Sequence, residues 1–207
     1  MHILLTSDMG IYSAPMFSLA ERLGVLGEVT VWASEQDWSQ PEVAVAGSLR
    51  VTACRLPSGL KAWRCTGTPV QCVSLALSLL APQTIDLIIS GINIVPTTPV
   101  VKYYSGGLAA AGEGVRLGVP GIAVSMAHKP RQRDGYEVAV EAAYQAVADL
   151  MADGLSVGVY KVMVPAPKQV GKHREQHLYD CYQALQTKRE PHRRHDARLK
   201  CRGVWSG

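Results

Sequence analysis

Three short polar clusters in this chain carry the oxygen atoms that a hard cation needs. Ser7 and Asp8 lie in the turn Thr6-Ser7-Asp8-Met9-Gly10, directly after an apolar run. Ser34, Glu35, Asp37 and Ser39 follow a second such run, and Ser90-Gly91-Ile92-Asn93 follows a third. A carboxylate, a hydroxyl and an amide oxygen brought together resemble the shell of magnesium or manganese, which prefer oxygen donors. A fourth cluster, Ser105-Gly106-Gly107, opens a stretch of small residues, with Lys102 three residues earlier. Two glycines at the start of a helix leave backbone N–H groups open to a phosphate. Plainer readings stand beside these. Ser, Asp and Asn favour strand ends as turn residues, and a glycine pair at a helix start also permits close packing.

The elements that must position these clusters follow from periodicity. His2-Ile3-Leu4-Leu5-Thr6 suits a strand buried on both faces of a parallel sheet. Pro15 fits a first helical turn, and Met16, Leu19, Ala20 and Leu23 recur at helical spacing. Residues 28–33 form a second strand, completing a βαβ unit whose connection is right-handed. Residues 34–66 are less regular, with a strand at 48–53, read as an antiparallel excursion. Thr68 as N-cap and Pro69 at the first position start a helix reaching Pro82. A strand over 85–89 runs into Ser90-Gly91-Ile92-Asn93, and a long loop then leads to a helix from Ser105 to Leu117. Residues 121–125 form a further strand, Asp134 and Glu137 make a capping box for the next helix, and Lys161–Val164 is a last strand. Strands alternate with helices. The fold class is therefore α/β, a mostly parallel, doubly wound, Rossmann-like sheet in three layers. Ligands of such sheets bind beyond the carboxyl ends of the strands, where the polar clusters fall.

Composition sets the outer limits. Of 207 residues, 47% are hydrophobic and 18% charged, which excludes a disordered chain. No apolar run approaches the roughly 20 residues of a membrane helix. The N-terminus shows no basic export signal, so a cytoplasmic location is expected, with no membrane partner. Charge divides the chain. Residues 168–207 hold ten Lys and Arg against four Asp and Glu, and four of the six histidines. The expected organisation is a domain over residues 1–167 followed by a basic, loosely ordered tail over 168–207. That tail reads as a solvated charge run rather than a nucleic-acid surface. One amphipathic helix in it is marked by Leu178, Cys181, Tyr182 and Leu185.

Other chemistries lack their signatures. The five cysteines contain no CxxC pair, so they read as packed, reduced thiols. There is no GxGxxG after the first strand, no GxxxxGK[ST] and no GxSxG. His128 stands alone in a loop.

In order and spacing, the chain resembles the SurE (survival protein E) nucleotidases over residues 1–167. The resemblance rests on Ile3–Gly10 followed by Ala14-Pro15, on Gly67-Thr68-Pro69 with Cys72-Val73, and on Ser90-Gly91-Ile92-Asn93. It also rests on Tyr104-Ser105-Gly106, Ala110–Gly114 and Gly118–Ser125. It implies a metal-dependent phosphatase of nucleoside 5′- and 3′-monophosphates using one divalent cation, Mg²⁺ or Mn²⁺. Carried over residue by residue, the cation ligands are Asp8, Ser39 and Asn93, with Asp8 catalytic, and Ser105, Gly106 and Gly107 hold the phosphate. A homodimer remains open, because the family's C-terminal dimer elements are not recognisable after Pro167. Several positions depart from the family pattern. Met9 occupies the place of a second aspartate, Ser7 that of an asparagine, Gln71 that of an aspartate, Thr97 that of an asparagine and Gly107 that of a threonine. A thioether is a poor magnesium ligand. The alternative is therefore a non-catalytic relative that binds a nucleotide or a partner protein.

Overall fold

A computed structural model describes residues 1–39, 48–80, 84–94, 106–126, 134–164 and 195–197. Eight strands and four helices alternate along them: β1 (His2–Thr6), α1 (Ala14–Leu23), β2 (Glu28–Ser34), β3 (Val51–Arg55), β4 (Lys61–Cys65), α2 (Pro69–Leu80), β5 (Leu87–Ile94), α3 (Gly106–Arg116), β6 (Gly121–Met126), α4 (Asp134–Ala152), β7 (Val159–Val164) and β8 (His195–Ala197).

The strands form one sheet in the order β3-β4-β2-β1-β5-β6-β7-β8. Every neighbouring pair is parallel except β3 with β4. The central strands are apolar on both faces because each face is covered. Ile3, Leu5, Val31 and Ile89 pack with Met16, Leu19 and Leu23 of α1 and with Ala143 and Val147 of α4. Leu4, Trp32 and Ile88 pack on the other face with Val73 and Leu77 of α2 and Ala110 of α3. The expected doubly wound, three-layer α/β fold is therefore the observed one.

Two elements were not legible in advance. β4 reads Lys-Ala-Trp-Arg-Cys, with no apolar run to mark it. It is held by tertiary contact. Trp63 lies opposite Trp32 in register, and their rings stack at 5.4 Å. Such a pair adds about 0.5–1.5 kcal/mol beyond the area it buries. β8 lies in the basic tail, where His195–Ala197 pair in parallel with Tyr160–Val162. The remainder of the tail, including its expected helix, lies outside the described residues, as does the Asp134 side chain of the expected capping box.

The Thr68-Pro69 start of α2 forms as expected and is more complete than expected. Gln71 N–H donates to Thr68 Oγ1 at 3.2 Å, and Thr68 N–H donates back to Gln71 Oε1 at 2.8 Å. This is a reciprocal capping box, and it gives Gln71 a structural role.

The sheet's direction of progress reverses at β1. From β1 the chain moves outward to β2 and β4, then returns to β5 on the opposite side and continues to β6 and β7. The crevice at the carboxyl ends of β1 and β5 is thus the switch point of the sheet, where ligands of such folds bind.

Candidate active site

Asp8 and Asn93 meet at this crevice. Thr6 of β1 lies opposite Ser90 of β5, so the turn after β1 emerges beside the end of β5. β5 runs further than its apolar core suggests and includes the whole Ser90-Gly91-Ile92-Asn93 motif. Its register with β6 shifts between Ser90 and Asn93. That irregularity places Asn93 under Asp8. Asp8 N–H and Ser7 O–H both donate to Asn93 Oδ1 at 3.1 Å. Asn93 Nδ2 in turn donates to Ser90 Oγ at 3.3 Å. Ser7 Oγ also accepts Met9 N–H at 3.1 Å, which closes the turn. Asn93, Ser7 and Ser90 are fully buried.

The N-terminus of α3 caps the crevice. Gly107 N–H donates to Asp8 Oδ2 at 3.2 Å. A Cβ on Gly107 would lie 1.8 Å from Asn93 Nδ2, and one on Gly106 would lie 3.3 Å from Asp8 Cβ. The glycines are there because the helix start is pressed onto the two site residues. In this structure the Gly107 N–H serves a carboxylate, whereas the sequence suggests a phosphate. Ser105, Thr97 and Lys102 lie outside the described residues.

Asp8 is 4% exposed and is the only buried charged side chain among the described residues. Burial pushes its carboxyl up to about 6, the Gly107 N–H draws it down, and the negative charge of Asp37 pushes it up again. Desolvation dominates because the carboxylate has lost water and gained one backbone donor. Its second oxygen, Oδ1, is buried with no hydrogen-bond partner, and so is Thr6 Oγ1 at the end of β1. A buried carboxylate oxygen without a donor suits a cation, which needs oxygen atoms free of hydrogen-bond donors. Asn93 Oδ1 has both acceptor positions in use. Rotation of the Ser7 hydroxyl, a freely turning donor, releases one of them.

Ser39 lies farther out. It is exposed, and its hydroxyl donates to Asp37 Oδ1 at 2.5 Å. The main chain links it to the site, because Trp38 N–H donates to Asp8 O at 2.6 Å. The loop over 35–39 closes down on the turn after β1, where Ile11 N–H also donates to Ser34 O at 2.8 Å. Gly10, with φ of +79°, makes this approach possible: a Cβ there would lie 2.9 Å from Gln36 O.

The structure therefore joins Asp8, Asn93 and Gly107 directly, adds Gly106 by close packing, and connects Ser39 through its neighbour. Sequence reasoning missed the Gln71 capping role, for which Thr-Pro-Val-Gln is a visible signal. It also missed the weight of Trp38, for which there is none. A surface depression of about 820 Å³ lies elsewhere, lined by residues such as His2, Glu28 and Lys61. It sits at the opposite ends of β1 and β2 and gathers no buried acid, so it is a poorer candidate than the crevice.

Comparison with known proteins shows the family. The profile of the family described as "Survival protein SurE" matches residues 3–189. The chain belongs to the SurE family. A 5′-nucleotidase SurE of Herpetosiphon aurantiacus is 37% identical over 153 residues, which cover 73% of this chain and 60% of the relative. The 5′-nucleotidase SurE of Syntrophomonas wolfei is 37% identical over 158 residues, covering 75% and 59%. The crystal structure of the SurE protein from Aquifex aeolicus superposes with a TM-score of 0.66 at 27% identity, covering 80% of this chain and 66% of that one. This SurE member thus spans about 60% of the length of the curated relatives it matches. No helix among its described residues is long and apolar enough to cross a membrane.

Proposed function

We propose that this SurE member is a divalent-cation-dependent phosphatase of nucleoside 5′- and 3′-monophosphates, with its site at the β1/β5 crevice. Asp8 carries the proposal: a buried carboxylate with one oxygen on a helix N-terminus and the other without a partner, in a chain whose relatives are named 5′-nucleotidases.

Asp8, Asn93 and Ser39 would hold the cation, Mg²⁺ or Mn²⁺, and their carboxylate, amide and hydroxyl oxygens are the donors such an ion prefers. The cation supplies charge neutralisation for the phosphoryl oxygens and a lowered pKa for the attacking water. Asn93 fixes the Asp8 peptide through the bond from Asp8 N–H, so the carboxylate is delivered from a rigid support. Asp8 Oδ1, which has no hydrogen-bond partner, would be the oxygen offered to the cation. Ser105 and the backbone at Gly106 and Gly107 would bind the phosphate, the Gly107 N–H being released from Asp8 Oδ2 when the cation takes that carboxylate. A cytoplasmic location accords with this substrate, and a homodimer is compatible with it.

The test is phosphate release from nucleoside monophosphates with manganese or magnesium, against a chelated control and against Asp8→Asn. The reading predicts release that needs both the cation and Asp8. Release equal in all three samples, or absent from all, would contradict it. If nucleotide binding persists while no phosphate is released, the chain is a non-catalytic binder, which is the reading favoured by Met9 in place of a second acid.

A further inference from the structure

With Met9 after it, Asp8 is the sole buried acid among the described residues, and its Oδ1 has no partner. The loop over 35–39 faces it. Trp38 is fixed from two sides: its backbone N–H donates to Asp8 O at 2.6 Å, and its indole Nε1 donates to Ser34 Oγ at 2.6 Å. Its neighbours on either side, Asp37 and Ser39, are therefore held at the rim of the crevice. They form one polar clip, in which Asp37 Oδ1 accepts Ser39 N–H at 2.9 Å and Ser39 O–H at 2.5 Å.

Adjacent oxygens in an octahedral magnesium shell lie roughly 3 Å apart, given metal–oxygen distances of about 2.1 Å. The Ser39 and Asp37 oxygens are near that spacing already. An ion held by Ser39 Oγ would have the Asp37 carboxylate within reach.

We propose that Asp37 stands in for the acid missing at Met9, so that Asp8 from β1 and Asp37 from the loop after β2 give a divalent cation two carboxylates from opposite sides of the crevice. This rests on the cation-site reading above. It relocates one anionic ligand from the buried turn to an exposed loop. Asp37 is exposed, so the site keeps its charge count without a second acid crowded against Asp8 in the turn. Asp37 supplies a ligand oxygen beside that of Ser39, to which it is hydrogen-bonded.

The test is Mn²⁺ binding by isothermal calorimetry and by loss of the free-ion electron paramagnetic resonance signal. Neither readout depends on turnover. Asp37→Asn is expected to weaken Mn²⁺ affinity by about tenfold or more, because ligand charge sets affinity for hard cations. Asp37→Glu keeps most of the affinity. Glu35→Gln removes the same charge from the same loop but should leave affinity unchanged, since Glu35 is engaged with Arg64 at 3.4 Å. Met9→Asp placed in Asp37→Asn should restore binding. Equal affinity of Asp37→Asn and the parent would overturn the proposal, as would equal losses in Asp37→Asn and Glu35→Gln. A parent that binds no Mn²⁺ would overturn it too. If the parent binds Mn²⁺, loses it with Asp37→Asn, and yet releases no phosphate, the phosphatase reading fails while this one stands.

Discussion

The two sides of the crevice are built on different physics. The inner side, Asp8, Ser7, Ser90, Asn93 and Gly107, is buried, and hydrogen bonds from two strands and a helix fix its atoms. The outer side, Asp37 and Ser39, is exposed and hangs on a loop tied down at Trp38. The inner side has little room for change, because any added atom or lost donor disturbs its neighbours. The outer side tolerates a change of charge at small structural cost. Met9 and Asp37 stand on the two sides: on the proposal above, the anionic ligand lies in the exposed loop rather than in the turn after β1.

Removing the charge at Asp8 should give the largest effect. Its folded-state carboxyl, near 6, lies above the ordinary 3.8. The folded protein therefore holds this proton more tightly than the unfolded chain does. Without metal, the stabilisation that Asp8 itself contributes is fully present below about pH 4 and is lost as pH rises to about 6. The fall is about 3 kcal/mol, because each tenfold difference in proton affinity between folded and unfolded chain is worth roughly 1.4 kcal/mol. Urea unfolding of the chelated protein across this range should show the fall, and Asp8→Asn should abolish it. The same variant should lose more than about a hundredfold in phosphatase rate, since losses of 10–100-fold follow even from outer partners of ligands. A chelated parent whose pH dependence over this range equals that of Asp8→Asn would break the contrast between the inner and outer sides.

Gly107→Ala comes next. Its methyl would meet the Asn93 amide, at a cost of about 1–3 kcal/mol for overpacking. Thermal unfolding should report the loss, and Mn²⁺ affinity should fall with it, because Asn93 and Asp8 shift together. A fully stable Gly107→Ala protein would mean that α3 does not press on the crevice.

Gln71→Ala should have the smallest effect. It removes half of the capping box, for about 1 kcal/mol, and leaves Mn²⁺ affinity unchanged. Loss of Mn²⁺ binding in this variant would make Gln71 part of the cation site, which the capping geometry argues against.

The inner side was largely legible in the sequence. Apolar runs ending in Ser7-Asp8 and in Ser90-Gly91-Ile92-Asn93 mark two parallel strands, and the family resemblance pairs their ends. The shift in β5 register that brings Asn93 under Asp8 was not legible, because it depends on pairing with β6. Gly107 was visible as a glycine at a helix start, but its partner was not: a backbone N–H carries no sign of whether it meets a carboxylate or a phosphate. Asp37 was visible only as one of several polar residues after β2. The bonds that matter there are main-chain ones, from Trp38 to Asp8 and from Ile11 to Ser34, and no side-chain pattern encodes them. β4 was hidden for a similar reason, since its place depends on Trp32 across the sheet.

The most direct measurement of the cation site is equilibrium Mn²⁺ binding to the parent protein and to Asp8→Asn at neutral pH. One ion per chain on the parent, lost in Asp8→Asn, is the predicted result. Undiminished binding to Asp8→Asn, or none to the parent, would contradict a cation site built on Asp8.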